Sequence, residues 1–102
     1  MKIDSRYSDG ILYIRLNGEI DEYSARQARR EADKLAETYF ACKKVVFDLS
    51  GVSFMDSTGI GFLIGRYKKF RSGGVTAYVT NPSETTDKIL AMSGVYTLIP
   101  RV

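Results

Sequence analysis

The amino-terminal part of the chain alternates between apolar and polar side chains. Ile11–Leu16 has the two-residue period of a strand that is covered on one face. Ile3–Tyr7 is a second β-rich run, and the Ser8-Asp9-Gly10 segment between the two is a turn signal. The pattern predicts an antiparallel hairpin whose buried positions are Leu12, Ile14 and Leu16.

From about Tyr23 to Phe40 the apolar positions change to helical spacing, which predicts a first helix. A second apolar stripe runs from Ile60 to Phe70 and ends before a glycine pair. A third helix is predicted to open at Asn81-Pro82-Ser83 and to reach about Met92. The remaining β-rich runs are Val45–Leu49, Val75–Val79 and Tyr96–Ile99. Ser50-Gly51 is predicted to break the first of these, and Val52 and Phe54 after the break are still expected to point inward.

The predicted order of elements is ββαβαβαβ. Strands that alternate with helices indicate an α/β fold with a mostly parallel sheet, right-handed crossovers and an antiparallel amino-terminal hairpin. In such sheets functional residues lie beyond the carboxyl ends of the strands. Asp56 and Ser57, together with the Glu19-Ile20-Asp21 segment, are predicted at that edge.

Composition narrows the function classes. The chain has 102 residues, so we expect one domain spanning residues 1–102. It contains no histidine and one cysteine, Cys42, which removes histidine-dependent nucleophiles, histidine metal sites and internal disulfides. The net charge of +3 is too small to indicate nucleic acid. No signal peptide or membrane-spanning run is recognisable, so a cytoplasmic protein that engages no membrane is expected.

The stretch SFMDSTGIGFLIGRY combines a helix start with three glycines, although glycine weakens a helix interior by about 1 kcal/mol relative to alanine. A helical wheel predicts that Ile60 and Leu63 face the core, while Phe62 projects from an outer face that Gly61 and Gly65 line. Such a flat strip with one aromatic suits contact with another protein. The alternative is that the glycines allow tight packing inside the domain.

Asp56, Ser57 and Thr58 are ordinary residues for a helix N-terminus. A serine there is also well placed to carry a phosphate, because free N–H groups and the helix dipole stabilise added negative charge. The chain has no GxSxG turn and no GxxxxGK[ST] loop, so neither a hydrolase nor a phosphate-cradling nucleotide loop is indicated. Nucleotide binding by the glycine-rich helix start is the weakest hypothesis.

Three stretches carry a family resemblance: VVFDLSGVSFMDSTGIGFLIGRYKKF, LYIRLNGEID and AMSGVYTLI. Together they resemble the STAS-domain anti-sigma factor antagonists, in particular the sporulation type. The resemblance implies that Ser57 is the phosphoacceptor, with Asp56 and Thr58 beside it. It also implies that Asp21 faces a kinase and that the helix start packs against it, which gives the expected partner-binding set: Asp21, Asp56, Ser57, Thr58, Gly59, Ile60, Gly61 and Phe62.

The resemblance further implies a regulatory protein rather than an enzyme, with no cofactor and no metal. Its unphosphorylated form would bind an anti-sigma factor serine kinase of the GHKL type and release the sigma factor. Phosphorylation would switch binding off, and a phosphoserine phosphatase would restore it. The alternative is a non-switching STAS scaffold in a larger signalling or transport assembly. Members of the family usually continue into a further C-terminal helix, whereas this chain stops at Ile99–Val102, which is expected to expose apolar surface around Val95 and Leu98.

Overall fold

Four strands form one mixed sheet in the order β1-β2-β3-β4, in which β1 is antiparallel to β2 and the other pairs are parallel. The computed structural model describes all 102 residues. The predicted α/β class and the amino-terminal hairpin are therefore confirmed. The elements are β1 Lys2–Ser8, β2 Ile11–Ile20, α1 Glu22–Thr38, β3 Lys44–Met55, α2 Ser57–Ser72, β4 Thr76–Thr80, α3 Glu84–Ser93 and a 3-10 turn Val95–Thr97.

The hairpin between β1 and β2 closes through a two-residue turn. Asp9 and Gly10 both have positive φ angles, 53° and 79°, as a type I′ turn requires. That turn type matches the twist of the flanking strands and fixes the register, so that Ser8 pairs with Ile11. Leu12, Ile14 and Leu16 are consequently fully buried, as the alternation predicts.

The core lies on one face of the sheet. Leu12, Val45 and Ala77 form one cross-strand row and are at most 2% exposed. Because β2, β3 and β4 step in one direction across the sheet, right-handed crossovers place α1 and α2 on the same face. The third helix packs there as well, since Leu90 is fully buried in the same apolar cluster. We call this side of the sheet the core face.

Strand β3 is longer than the sequence predicts. Ser50-Gly51 does not break it, and the strand continues to Met55 with irregularities in its pairing to β2. A Cβ atom at Gly51 would lie 2.2 Å from the Asn17 Oδ1 atom. The glycine therefore marks a close approach of two paired strands rather than their separation.

The predicted strand Tyr96–Ile99 is wrong. Gly94, with a φ angle of 81°, ends α3, and the chain then forms the 3-10 turn before Arg101 makes an isolated bridge to Val79. The turn buries Val95, which is 1% exposed, so the expected exposure of this residue is also wrong, whereas Leu98 is 40% exposed. The sequence could not reveal the turn because an apolar run this short is not assigned to a strand or a helix by its periodicity alone.

A polar cluster fastens this carboxyl-terminal segment to α3. The Tyr96 hydroxyl donates a hydrogen bond to Asp87 Oδ1 at 2.5 Å, and Arg101 Nη1 lies 3.0 Å from the same oxygen. Burial and the neighbouring Asp87 carboxylate raise the pKa of Tyr96 to about 12. The phenol is thus held protonated in the fold.

The raised pKa predicts a loss of stability in alkali. Because the folded value lies above the ordinary value of 10.0, the stabilisation is complete below that pH and is lost as the pH rises toward about 12. We expect the free energy of unfolding to fall more steeply across this window in the wild type than in Tyr96→Phe, as measured by urea unfolding. Tyr23→Phe, at a residue 94% exposed, is the control. Equal slopes for wild type and Tyr96→Phe would contradict the prediction.

Candidate functional site

Two helices begin side by side at the carboxyl edge of the sheet. Ile20 at the end of β2 pairs with Met55 at the end of β3. The next residue of each segment, Asp21 and Asp56, is the N-cap of the helix that follows. The register of the two parallel strands therefore brings together two of the regions that the sequence analysis singled out.

Asp21 caps α1 through a capping box with Ser24. Its Oδ1 atom accepts hydrogen bonds from the Ser24 backbone N–H and hydroxyl, both at 2.9 Å. These hydrogen bonds, the backbone one first, hold the pKa of Asp21 below its ordinary value of 3.8. The carboxylate is therefore charged at neutral pH, and the stabilisation that it provides is lost only as the pH falls below that value.

Asp56 caps α2 and leaves Ser57 free. The Oδ1 atom of Asp56 accepts a hydrogen bond from the Thr58 backbone N–H at 2.9 Å. Ser57 is the first helical residue and is exposed, and its hydroxyl makes no side-chain hydrogen bond within the chain. Thr58 is half-buried beside it. An exposed, unengaged hydroxyl at a helix N-terminus is open to modification, and the dipole of α2 favours an added anion there.

Gly59 is buried against the sheet rather than available to a partner. A Cβ atom at this position would lie 2.4 Å from Met55 Cγ and 3.2 Å from Ile20 Cγ2. The expected partner contact of Gly59 is therefore corrected to an internal packing role: the missing side chain lets α2 approach the ends of β2 and β3.

Phe62 is fully buried, so its predicted place on the outer face of α2 is wrong. The buried side of α2 is centred on Gly59, Leu63 and Arg66. This is because α2 packs against α1 on one side as well as against the sheet beneath it. Ile60 and Ile64, expected in the core, are instead only half-buried. The buried face of α2 is therefore rotated about the helix axis relative to the face that the helical wheel predicts.

The surface that α2 presents to solvent is nearly flat. Gly61 is exposed, and a Cβ atom at Gly61 or Gly65 would meet no atom within 4 Å. The internal-packing explanation therefore fails for these two glycines. We use the name α2 strip for the residues that share this side of the helix next to the N-cap: Ser57, Ile60, Gly61 and Ile64.

Two exposed aromatic side chains near the N-caps were not predicted. Tyr23, two residues after Asp21, is 94% exposed, and Phe54, which was expected to point inward, is 50% exposed. Phe54 pairs with Glu19 across the strands just before the helices begin. Val52 pairs with Gly18 and Phe54 with Glu19, so Ser53 is an extra residue in β3 and the inward–outward alternation breaks there. Alternation in the sequence alone does not reveal such an irregularity in pairing.

An ion pair fixes the two helices against each other. Arg66 Nε lies 3.0 Å from Asp33 Oδ1, and the guanidinium carbon is 5.4 Å from the centre of the Phe62 ring. Burial lowers the pKa of Arg66, and the Asp33 carboxylate partly opposes this shift. The pair links α1 to α2 and so helps to keep their N-termini in one arrangement.

No group of three or more histidine, cysteine, aspartate or glutamate side chains is placed to hold a metal ion. None of the helices combines the length and the apolar character that crossing a membrane would demand. The carboxyl edge, with its two acidic N-caps, the exposed Ser57 hydroxyl and the α2 strip, is the candidate functional site.

The family model of the STAS domain matches residues 2–102, and the chain belongs to this family. A curated relative, the anti-sigma F factor antagonist of Paenibacillus polymyxa, is 30% identical over 100 residues, which cover 98% of this chain and 85% of the relative.

Solved structures of an anti-sigma factor antagonist are similar to the fold. The unphosphorylated form of SpoIIAA has a TM-score of 0.75 at 26% identity, over 99% of this chain and 88% of that one. The phosphorylated form of SpoIIAA, a Bacillus cell fate determinant, has a TM-score of 0.69 at 27% identity, over 99% of this chain and 91% of that one. The similarity therefore spans both forms of that protein.

Proposed function

We propose that this chain is an anti-sigma factor antagonist, a regulatory protein of the cytoplasm rather than an enzyme, that acts as one domain. Its unphosphorylated form binds an anti-sigma factor serine kinase of the GHKL type through the α2 strip and Asp21. Phosphorylation of Ser57 ends that binding, and a phosphoserine phosphatase reverses it. The observation that carries the proposal is the exposed, unengaged hydroxyl of Ser57 at the N-terminus of α2. The names of the relative and of the two SpoIIAA structures support it.

The physical basis of the switch is local charge. A phosphoserine adds a charge of about −1.5 to −2 at neutral pH. The α2 N-terminus stabilises that charge within the fold, whereas a partner that has docked beside Asp21 and Asp56 meets a third negative group. Like charges brought together at an interface cost several kcal/mol. The modification therefore changes binding much more than folding.

The α2 strip explains how a partner reaches the hydroxyl. Because Gly61 has no side chain and open space around it, a partner's backbone can approach the helix closely. Ile60 and Ile64 supply apolar contact area at its sides. Phe62 and Gly59, by contrast, contribute by placing the helix and not by contact. Thr58 borders the strip as a half-buried second hydroxyl.

The test is phosphorylation by an anti-sigma factor kinase, such as the anti-sigma F factor of Paenibacillus polymyxa, with ATP and mass spectrometry. We expect one phosphate on Ser57, none on Ser57→Ala, and normal modification of Ser53→Ala, an exposed serine four residues earlier. Stoichiometric phosphorylation is expected to weaken binding by about 100-fold or more, as measured by calorimetry with a non-hydrolysable nucleotide. A phosphate mapped elsewhere contradicts the site, and affinity unchanged by the phosphate favours a non-switching scaffold.

A further inference from the structure

The sheet has a second face that no helix covers. We call it the open face; its central cross-strand row is Arg6, Tyr13, Val46 and Tyr78. Val46 is only 9% exposed but lies outside the apolar core cluster, so it is shielded by the flanking tyrosines. Parallel sheets are usually covered on both faces. Strands β2, β3 and β4 form the parallel part of this mixed sheet, and their uncovered face with Val46 at its centre therefore indicates a surface that another molecule covers.

The cations on the open face are free of ion pairs. All four ion pairs of the chain lie on the helices or at the carboxyl terminus. Arg15 stands in register between Asp4 and Asp48 and pairs with neither. Those carboxylates are engaged locally: Asp4 accepts from Asn17 Nδ2 at 3.1 Å, and Asp48 accepts from the Ser50 backbone N–H at 2.9 Å.

These features give the open face an apolar stripe with basic sides. The Tyr13–Val46–Tyr78 row crosses three strands spaced at about 4.8 Å, so it is about 10 Å wide, which matches the diameter of one α-helix. Arg6 and Arg15 lie at one end beside a shallow cavity of about 210 Å³ that Asp4 and Asp48 also line. The Lys44 ammonium lies beside the Tyr78 ring at the other end. An amphipathic helix that lies along the strands would meet apolar contacts below and cations at its flanks.

We propose that the open face docks an acidic amphipathic helix of a partner protein, through the Tyr13–Val46–Tyr78 row and the cations Arg6, Arg15 and Lys44. The basic sides select glutamate- and aspartate-rich helices by charge complementarity. This surface is separate from the Ser57 site, whose nearby charges, Asp21 and Asp56, are negative. The two surfaces therefore suit partners of opposite charge.

The geometry favours a protein helix over single-stranded nucleic acid. Bases bind such sheets by stacking on the faces of aromatic rings, but the Arg6 guanidinium lies 4.5 Å from the Tyr13 ring centre and the Lys44 ammonium 5.8 Å from that of Tyr78. A base that stacked on either ring would have to displace its cation, whereas the carboxylates of a docked helix can pair with both cations where they lie. A phosphate on every nucleotide would also meet Asp4 and Asp48, whereas a helix presents its carboxylates only at selected positions.

The probe is a fluorescently labelled, stapled helical peptide with a leucine stripe flanked by glutamates, compared with its lysine-flanked counterpart. We expect fluorescence anisotropy to detect binding of the acidic peptide alone, weakened at least about tenfold by Arg15→Glu or Lys44→Glu and by high salt. Lys68→Glu, at an exposed cation of α2, is the matched control. Arg15→Gln, which removes the charge at similar size, serves if Arg15→Glu unfolds.

We expect peptide binding to change the amide chemical shifts of the strands that contain Tyr13, Val46 and Tyr78, and to leave those around Ser57 unchanged. Equal binding of both peptides, or shifts confined to the helices, would overturn the proposal.

Tighter binding of a uridine decamer to the same strands would assign the face to nucleic acid instead. A dimer by analytical ultracentrifugation that Arg15→Glu dissociates would assign it to a second copy. Phosphorylation of Ser57 in Arg15→Glu tests the proposed function separately, because the two surfaces are distinct.

Discussion

We expect Phe62→Ala to lower the free energy of unfolding by about 3–5 kcal/mol, the usual cost of removing a buried phenylalanine side chain. Phe62 is fully buried, and the Arg66 guanidinium lies over its ring. The substitution would remove apolar contacts and also one side of the environment that holds a buried cation. Because small domains have only about 5–15 kcal/mol of stability, the variant is expected to be partly unfolded near physiological temperature.

Urea unfolding measures this loss, and Ile60→Ala is its matched control. Ile60 lies on the same helix but is half-buried on the α2 strip, so its truncation is expected to cost about 1 kcal/mol or less of stability while weakening partner binding. The prediction therefore reverses the roles that the helical wheel suggests for the two residues. A loss of less than about 1 kcal/mol in a folded Phe62→Ala variant would contradict the burial of the Phe62 side chain.

The sequence alone was sufficient to predict the hairpin and the position of Ser57 at a helix N-terminus, because both depend on local signals. Alternation identified the buried residues of β2, and the Asp9-Gly10 pair identified a turn that needs two positive φ angles. Asp56, Ser57 and Thr58 indicated a helix N-terminus at this point of the chain, and α2 begins at Ser57. Each of these features is decided by neighbours along the chain, which a sequence displays directly.

The errors arose where contacts distant in sequence decide the outcome. The inward side of α2 depends on α1, which rotates the buried side toward Phe62 and Arg66. The continuation of β3 through Gly51 depends on the close approach of Asn17. The 3-10 turn after α3 is held by contacts among Tyr96, Asp87 and Arg101, which belong to three different segments: the turn, α3 and the carboxyl-terminal tail. Periodicity in one segment contains no record of such partners.

The charges of the two proposed surfaces follow from the same sheet. The carboxyl edge is acidic because negative side chains are favoured at helix N-termini, and Asp21 and Asp56 fill those positions. The open face instead carries Arg6, Arg15 and Lys44, and its two carboxylates, Asp4 and Asp48, accept hydrogen bonds from neighbouring groups of the chain. A phosphate on Ser57 would make the carboxyl edge more negative and would leave the fold and the open face unchanged. The switch and the second docking surface can therefore operate independently.

The glycines of α2 give the second large expected effect, through a matched pair of substitutions. We expect Gly59→Ala to destabilise the protein by about 1–3 kcal/mol, the usual cost of overpacking, because its Cβ atom would lie 2.4 Å from Met55 Cγ in a buried site. Gly61→Ala is expected to stabilise it by up to about 1 kcal/mol, since alanine is the better helix former and its Cβ atom would meet nothing within 4 Å.

The same pair separates packing from docking. If Gly61 is kept without a side chain so that a partner can approach α2, Gly61→Ala must weaken kinase binding about tenfold or more while raising the midpoint of urea unfolding. Stabilising substitutions that also reduce function occur where the activity depends on the original residue. Gly65→Ala, also with open space around it but one turn farther from Ser57, is expected to stabilise the fold with a smaller effect on binding. Full kinase affinity in a stabilised Gly61→Ala variant would show that the docking surface does not include the centre of the α2 strip.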